Sequence, residues 1–237
     1  LNSDKIILDL CGGTGSWSAP YKKAGYDVRL ITLPEHDVIT YKPPDNVYGI
    51  LAVPPCTDFS VSGAQYWKRK DQDGTTIQSM AITMACLKII AMCQPKFWAL
   101  ENPVGRLRKW LGDPQLIFNP CDYGDAYTKK TLLWGRFNKL QKNPVEPIRV
   151  CSQGSWLQKL GGKSEKTKML RSMTPQGFAN AFFNANDSES EVKKICQPIS
   201  PAKQALQFDA QMRNTNRSHQ RQDHMACQQV SMFDSLH

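Results

Sequence analysis

Cys56 stands directly after two prolines, in the stretch Val53-Pro54-Pro55-Cys56-Thr57-Asp58-Phe59-Ser60. Two prolines fix the backbone just ahead of the thiol. A thiol on a rigid loop at the end of an apolar run is placed where a nucleophile is useful. The plainer alternative is a buried structural cysteine, but the prolines and the strand-end position favour catalysis. Glu101 is the second reactive candidate, in Leu100-Glu101-Asn102-Pro103. A carboxylate leaving a buried run costs free energy unless it is paired or used. It suits a general acid that protonates or hydrogen-bonds a ring nitrogen. Its alternative is an ion pair with Arg106 or Arg108. The third candidate is the loop Asp9-Leu10-Cys11-Gly12-Gly13-Thr14-Gly15. Glycines let the backbone turn tightly and approach a ligand closely. No Lys-Ser/Thr pair follows, so this is not a phosphate-binding P-loop, and the glycine spacing is not that of a dinucleotide fingerprint. Taken alone it is a weak signal, since roughly one such stretch in three is only a tight turn.

All three loops need strands to place them, and the sequence supplies these. Residues 5–10, 27–33, 48–53 and 97–100 are short apolar runs that read as buried strands, with 131–134 as one more. A helical stretch covers 19–24. Residues 76–93 are apolar almost all round, which predicts a helix packed inside layers. Strands that alternate with helices, each strand a continuous apolar run, predict a doubly wound α/β sheet. Ligands in such sheets bind beyond the carboxyl ends of the strands, where Asp9, Pro54 to Cys56 and Glu101 all fall. After about residue 186 the chain turns polar and rich in Gln, Ser and Asn, which predicts a tail without a packed core over 187–237.

The 237 residues carry a net charge of +9, which suits a polyanionic partner such as nucleic acid. Eight cysteines contain no C-x-x-C pair, and no histidine sits at metal spacing beside one. No metal site is expected, and reduced thiols in a cytoplasm are the better reading. No apolar run is expected to reach the length of a membrane span.

With the three loops in order, the sequence resembles the cytosine-C5 DNA methyltransferases, and most of all their short bacteriophage versions. Asp9 to Trp17 is similar to the family's cofactor motif. Pro54-Pro55-Cys56 with Phe59-Ser60 resembles its catalytic loop, with Thr57 in place of the usual glutamine. Glu101-Asn102 resembles its Glu-Asn pair, and Asp37-Val38 its adenine-contacting pair. Tyr123-Gly124 followed by Lys129-Lys130 lies where the family has a Tyr-Gly and an arginine-bearing motif. Residues 171–183, which include Asn180, resemble the closing motif that returns to the cofactor. The resemblance covers about residues 5–185.

The resemblance implies a Rossmann-like S-adenosylmethionine-dependent methyltransferase domain over 1–186, with a much reduced target-recognition region at about 136–173. It implies Cys56 as the nucleophile toward C6 of a flipped cytosine, and Glu101 as the acid that holds the ring. S-adenosylmethionine is then expected against Asp9, Leu10, Gly12, Gly13, Gly15, Trp17, Asp37, Val38, Pro54 and Asn180. The DNA substrate is expected against Pro55, Ser60, Asn102, Lys129, Lys130, Lys163, Lys166 and Arg171. A monomer that modifies DNA in the cytoplasm of a bacterial or phage-infected cell, as in restriction-modification, follows. Competing readings are the same chemistry on RNA and a cofactor- and DNA-binding pseudoenzyme. An oxidoreductase on a similar sheet is disfavoured by the Pro-Pro-Cys loop.

Overall fold

The structure is a computed structural model that describes residues 1–152, 154–160 and 164–187. Lys163 and the polar tail anticipated beyond residue 187 lie outside the described residues.

Six strands form one sheet: β1 (Ile6–Leu10), β2 (Asp27–Ile31), β3 (Val47–Ala52), β4 (Phe97–Pro103), β5 (Leu116–Phe118) and β6 (Thr131–Arg136), in the order β2-β1-β3-β4-β6-β5. The first four run parallel. The chain leaves β1 to one side for β2 and returns on the other side as β3. This reversal is the switch point at which open α/β sheets bind ligands. The doubly wound reading therefore holds for the parallel half. β6, however, runs antiparallel to β4, and β5 antiparallel to β6. That pairing carries β4 past its expected end, because Glu101, Asn102 and Pro103 sit opposite Leu133, Leu132 and Thr131. It also brings the start of β6 to the edge where the parallel strands finish.

Side chains alternate across the sheet, and two cores result. On one face Leu8, Leu10, Ile50, Ala52, Trp98 and Leu100 pack beneath the helix α3. On the other, Ile7, Leu51, Phe97 and Leu133 pack with Tyr21 of α1 (Ala19–Lys23) and with the last helix. The intervening helices α2 (Trp67–Gln72) and α3 (Thr75–Cys93) follow β3, and α4 (Arg108–Leu111) follows β4. α5 (Trp156–Lys159), α6 (Glu165–Ser172) and α7 (Gln176–Asn186) close the described chain.

The α3 helix differs from the sequence reading in two ways. It covers one face of the sheet, burying Met80, Thr83, Leu87 and Ile90, while Ile77 and Met92 on its other side are exposed. Its hydropathy hides this asymmetry, since it is apolar on both sides. By length and composition α3 is also apolar enough to cross a membrane, contrary to the expectation that no run would be. The buried face instead roofs the sheet.

The α7 helix returns to the second core with Phe178 and Phe182. Phe178 stacks on Phe118 with ring centroids 4.0 Å apart. The preceding turn is tied to the glycine loop by Thr174 N–H donating to Ser16 Oγ at 2.9 Å.

Candidate active site

Three loops meet at the carboxyl edge of the parallel strands and line a cavity of about 450 Å³. Its lining takes Gly12 and Gly13 from the glycine loop, Asp37 and Val38 from the segment after β2, Pro54 to Cys56 and Glu101 from the strand ends, and Lys129 and Arg171.

The glycine loop is shaped by what lies under it. Asp9 is fully buried and accepts a 2.5 Å hydrogen bond from Ser18 Oγ, while its Oδ1 has no partner among the described residues. A Cβ on Gly12 would meet the Asp9 carboxylate at 2.1 Å, so only glycine fits above it. Burial pushes the Asp9 carboxyl up to about 6 despite the Ser18 hydrogen bonds, which pull it down. Gly13 turns through a positive φ of 55° with open space where a side chain would stand. A buried carboxylate with a spare acceptor below an open glycine turn fits a ligand that ends in a cation.

The Cys56 loop is held on both sides by β4 and its exit. Asn102 Nδ2 donates to the Pro54 carbonyl at 3.1 Å, ahead of the thiol. After the thiol, the Cys56 carbonyl accepts from Ser60 N at 2.9 Å and Phe59 N at 3.1 Å, closing a turn. Arg106 N then donates to the Phe59 carbonyl at 2.8 Å. The strand that carries Glu101 thus also frames the nucleophile.

Electrostatics in the cavity are balanced between signs. Lys129 Nζ lies 3.9 Å from Glu101 Oε1, and both side chains are largely buried. Burial raises the Glu101 carboxyl above its ordinary value, against the pull of Lys129. Burial, then the Glu101 charge, push the Cys56 thiol up, while Lys129 and Arg171 draw it down. Such opposed groups around a thiol are a feature of functional sites. The alternative ion pairs for Glu101 fail: Arg106 binds Asp71, and Arg108 binds Asp113.

Of the anticipated residues, Gly12, Gly13, Asp37, Val38, Pro54, Pro55, Cys56, Glu101, Lys129 and Arg171 line this one cavity. Others stand apart. Trp17 is 1% exposed and packs on Phe178 and Phe182 within the second core, because α7 offers it two aromatic partners there. It is not against a ligand site. Asn180 lies on the exposed side of α7, opposite the face that buries Phe178 and Phe182, and borders a separate polar groove with Lys139 and Gln141. Leu10 belongs to the core under α3, and Gly15 serves the turn with a φ of 69°. Ser60 pairs with Ser62, and Asn102 holds Pro54 rather than facing the cavity. Lys130 and Lys166 are exposed and off the cavity wall. Sequence reasoning missed Ile82 in the wall, which no motif signals, and His36 beside Asp37, and it did not single out Thr174 within the closing motif at 171–183. Among the described residues no group of His, Cys, Asp and Glu is arranged to hold a metal ion.

Comparison with known proteins bears on this cavity. The family model for C-5 cytosine-specific DNA methylase matches residues 16–110, a span that includes Cys56, Glu101 and Asn102. A frog virus 3 (isolate Goorha) protein named "Probable DNA (cytosine-5)-methyltransferase" is 26% identical over 204 residues, covering 71% of this chain and 94% of that one. Over residues 16–110 the chain is similar to the C-5 cytosine-specific DNA methylases. Its similarity to the type II methyltransferase M.DdeI of Desulfomicrobium norvegicum is 26% over 171 residues, 54% of this chain but 39% of that protein. A solved E. coli prophage chain described as a DNA modification methyltransferase aligns with a TM-score of 0.41 and 18% identity, over 68% of this chain and 56% of that one. Within this chain, the Cys56 and Glu101 loops both lie in the matched span, while the glycines precede it.

Proposed function

We propose that this chain is a DNA cytosine-C5 methyltransferase that uses S-adenosylmethionine and a covalent Cys56 adduct. The observation that carries the reading is that Cys56 and Glu101, both within the span that the methylase family model matches, line one cavity together with Lys129.

The cofactor would lie along Gly12, Gly13, Asp37, Val38 and Pro54, and Asp9 beneath the loop supplies the charge for a cationic group. When bound, S-adenosylmethionine supplies an electrophilic methyl group. The chain's own residues do the rest. The base is extruded from the duplex into the cavity, since its ring is unreachable in the stack. The Cys56 thiolate adds to C6 of the ring, forming a C–S bond and making C5 nucleophilic. Glu101 hydrogen-bonds N3 and the amino group and stabilises the charge that develops there. Lys129 keeps Glu101 oriented and favours the thiolate. Loss of the C5 proton and of the Cys56 sulfur then restores the ring and the enzyme. Much of the acceleration comes from holding the partners in one cleft.

The test is transfer of labelled methyl from S-adenosylmethionine to unmethylated duplex DNA, to single-stranded DNA and to tRNA. Label on C5 of DNA cytosine supports the reading. Label on RNA alone moves the same chemistry to another substrate. Cofactor binding with no transfer to either makes the chain a pseudoenzyme.

A further inference from the structure

The segment after the nucleophile has little to hold it. From Val61–Tyr66, a short 3-10 stretch, through α2, no residue is buried. Val61 and Tyr66 are 56% and 49% exposed. With no buried apolar face, its position is set by polar contacts: Val61 N donates to the Val104 carbonyl at 2.9 Å, and further along the segment the side-chain contacts centre on Arg106.

Arg106 is 6% exposed and leaves β4 three residues after its end. Its Nε donates to the Asp58 carbonyl at 2.9 Å. Its Nη1 binds both oxygens of Asp71, at 2.7 and 2.9 Å. Its Nη2 donates to Thr76 Oγ1 at 2.7 Å, and Thr76 donates in turn to Asp71 at 2.7 Å. The guanidinium also lies 4.9 Å from the Trp67 ring centroid. One fork therefore ties together the loop two residues after Cys56, the α2 helix, the first turn of α3 and the exit of the Glu101 strand. A buried guanidinium is tolerable only when its donors are satisfied in this way. Lysine cannot reproduce the fork.

We propose that Arg106 is a positioning residue: it latches the segment 57–72 to the strand that carries Glu101, and so sets Cys56 in register with Glu101. Lys70 adds a second tie, to Asp58 and the Thr57 carbonyl, but it sits on the latched segment itself and cannot anchor it to β4. The latch acts on Cys56 through backbone, and touches no reacting atom. In its rate arm the inference rests on the proposed methyl transfer; in its other arms it does not.

The experiment compares wild type with Arg106→Lys and Asp71→Asn. Asp71 is one-third exposed, so its variant is the one chosen to survive if Arg106→Lys does not fold. Three readouts are taken on folded protein: tryptic cleavage after Lys68, Arg69 and Lys70, the rate of Cys56 alkylation by iodoacetamide, and single-turnover methyl transfer at saturating DNA and cofactor. The latch predicts cleavage in 68–70 at least tenfold faster, with cleavage elsewhere unchanged. It predicts Cys56 alkylation altered severalfold, and single-turnover transfer down at least tenfold. If both variants merely melt earlier while cleavage at 68–70 and alkylation match wild type, the latch is wrong. If wild type transfers no methyl group, the proposed function fails, while cleavage and alkylation still decide the latch.

Discussion

Replacing Asp9 with asparagine should make the free protein more stable at neutral pH while weakening its hold on the cofactor. Asp9 is held near pKa 6 by burial, against an ordinary value of 3.8. The folded pKa lies above the unfolded one, so the stability this group contributes is fully present below about pH 4 and is lost as pH rises through about 6. Once ionised, the buried carboxylate costs the fold roughly 3 kcal/mol. Asparagine removes that cost and keeps an acceptor for Ser18 Oγ, but its amide N–H₂ falls where Oδ1 has no partner, at a cost of about 1 kcal/mol. The net gain is roughly 2 kcal/mol near pH 7.5, or a rise of about 4–8 °C in Tm for a chain of this size. The pH dependence is the sharper signature: the gain should grow by roughly 1–2 kcal/mol between about pH 5 and about pH 7.5. Urea melts of the two proteins at both pH values measure it. A gain that is flat with pH, or a variant less stable near pH 7.5, refutes the reasoning. The same melts with S-adenosylmethionine should stabilise wild type more than Asp9→Asn if the spare oxygen serves the cationic cofactor as proposed.

Other substitutions separate charge from packing around the cavity. Lys129→Met should shift the pH midpoint of Cys56 alkylation upward, since the cation favours the thiolate, whereas Glu101→Gln should shift it downward yet cut methyl transfer by about 10²–10³-fold. Parallel shifts from the two variants would contradict the charge assignment. Gly12→Ala, whose Cβ would press on the Asp9 carboxylate, should raise the cofactor Kd at least tenfold by calorimetry and cost about 1–3 kcal/mol of stability. Phe178→Ala, which empties the stack on Phe118, should cost about 3–5 kcal/mol in a urea melt.

What the sequence disclosed and withheld follows from how local each signal is. The glycine turn, the Pro-Pro-Cys loop and the Glu-Asn pair are consecutive residues at strand ends, so their neighbours in sequence are also their setting in space. The parallel half of the sheet was legible for the same reason, through unbroken apolar runs. The antiparallel return of β6 was not, because strand direction leaves no mark in composition, and the three residues of β5 are too few to show a period. Trp17 sits beside the glycine motif, yet its side chain is claimed by Phe178 and Phe182 from 160 residues onward, a partnership no local pattern announces. Asn180 shares a motif with those phenylalanines but lies about half a turn from them, on the side that faces away. Arg106 was visible only as a cation near Glu101. Its true partner, Asp71, is 35 residues earlier, brought close by the crossover through α2 and α3.

The central claim is that Cys56 bonds to C6 of cytosine in DNA. It is tested most directly with duplex DNA in which cytosine carries fluorine at C5, since the last step removes a C5 proton and fluorine cannot leave that way. With S-adenosylmethionine present, wild type should give a protein–DNA species that survives denaturation, and Cys56→Ala should give none. No such species from wild type, or an undiminished one from Cys56→Ala, would contradict the account.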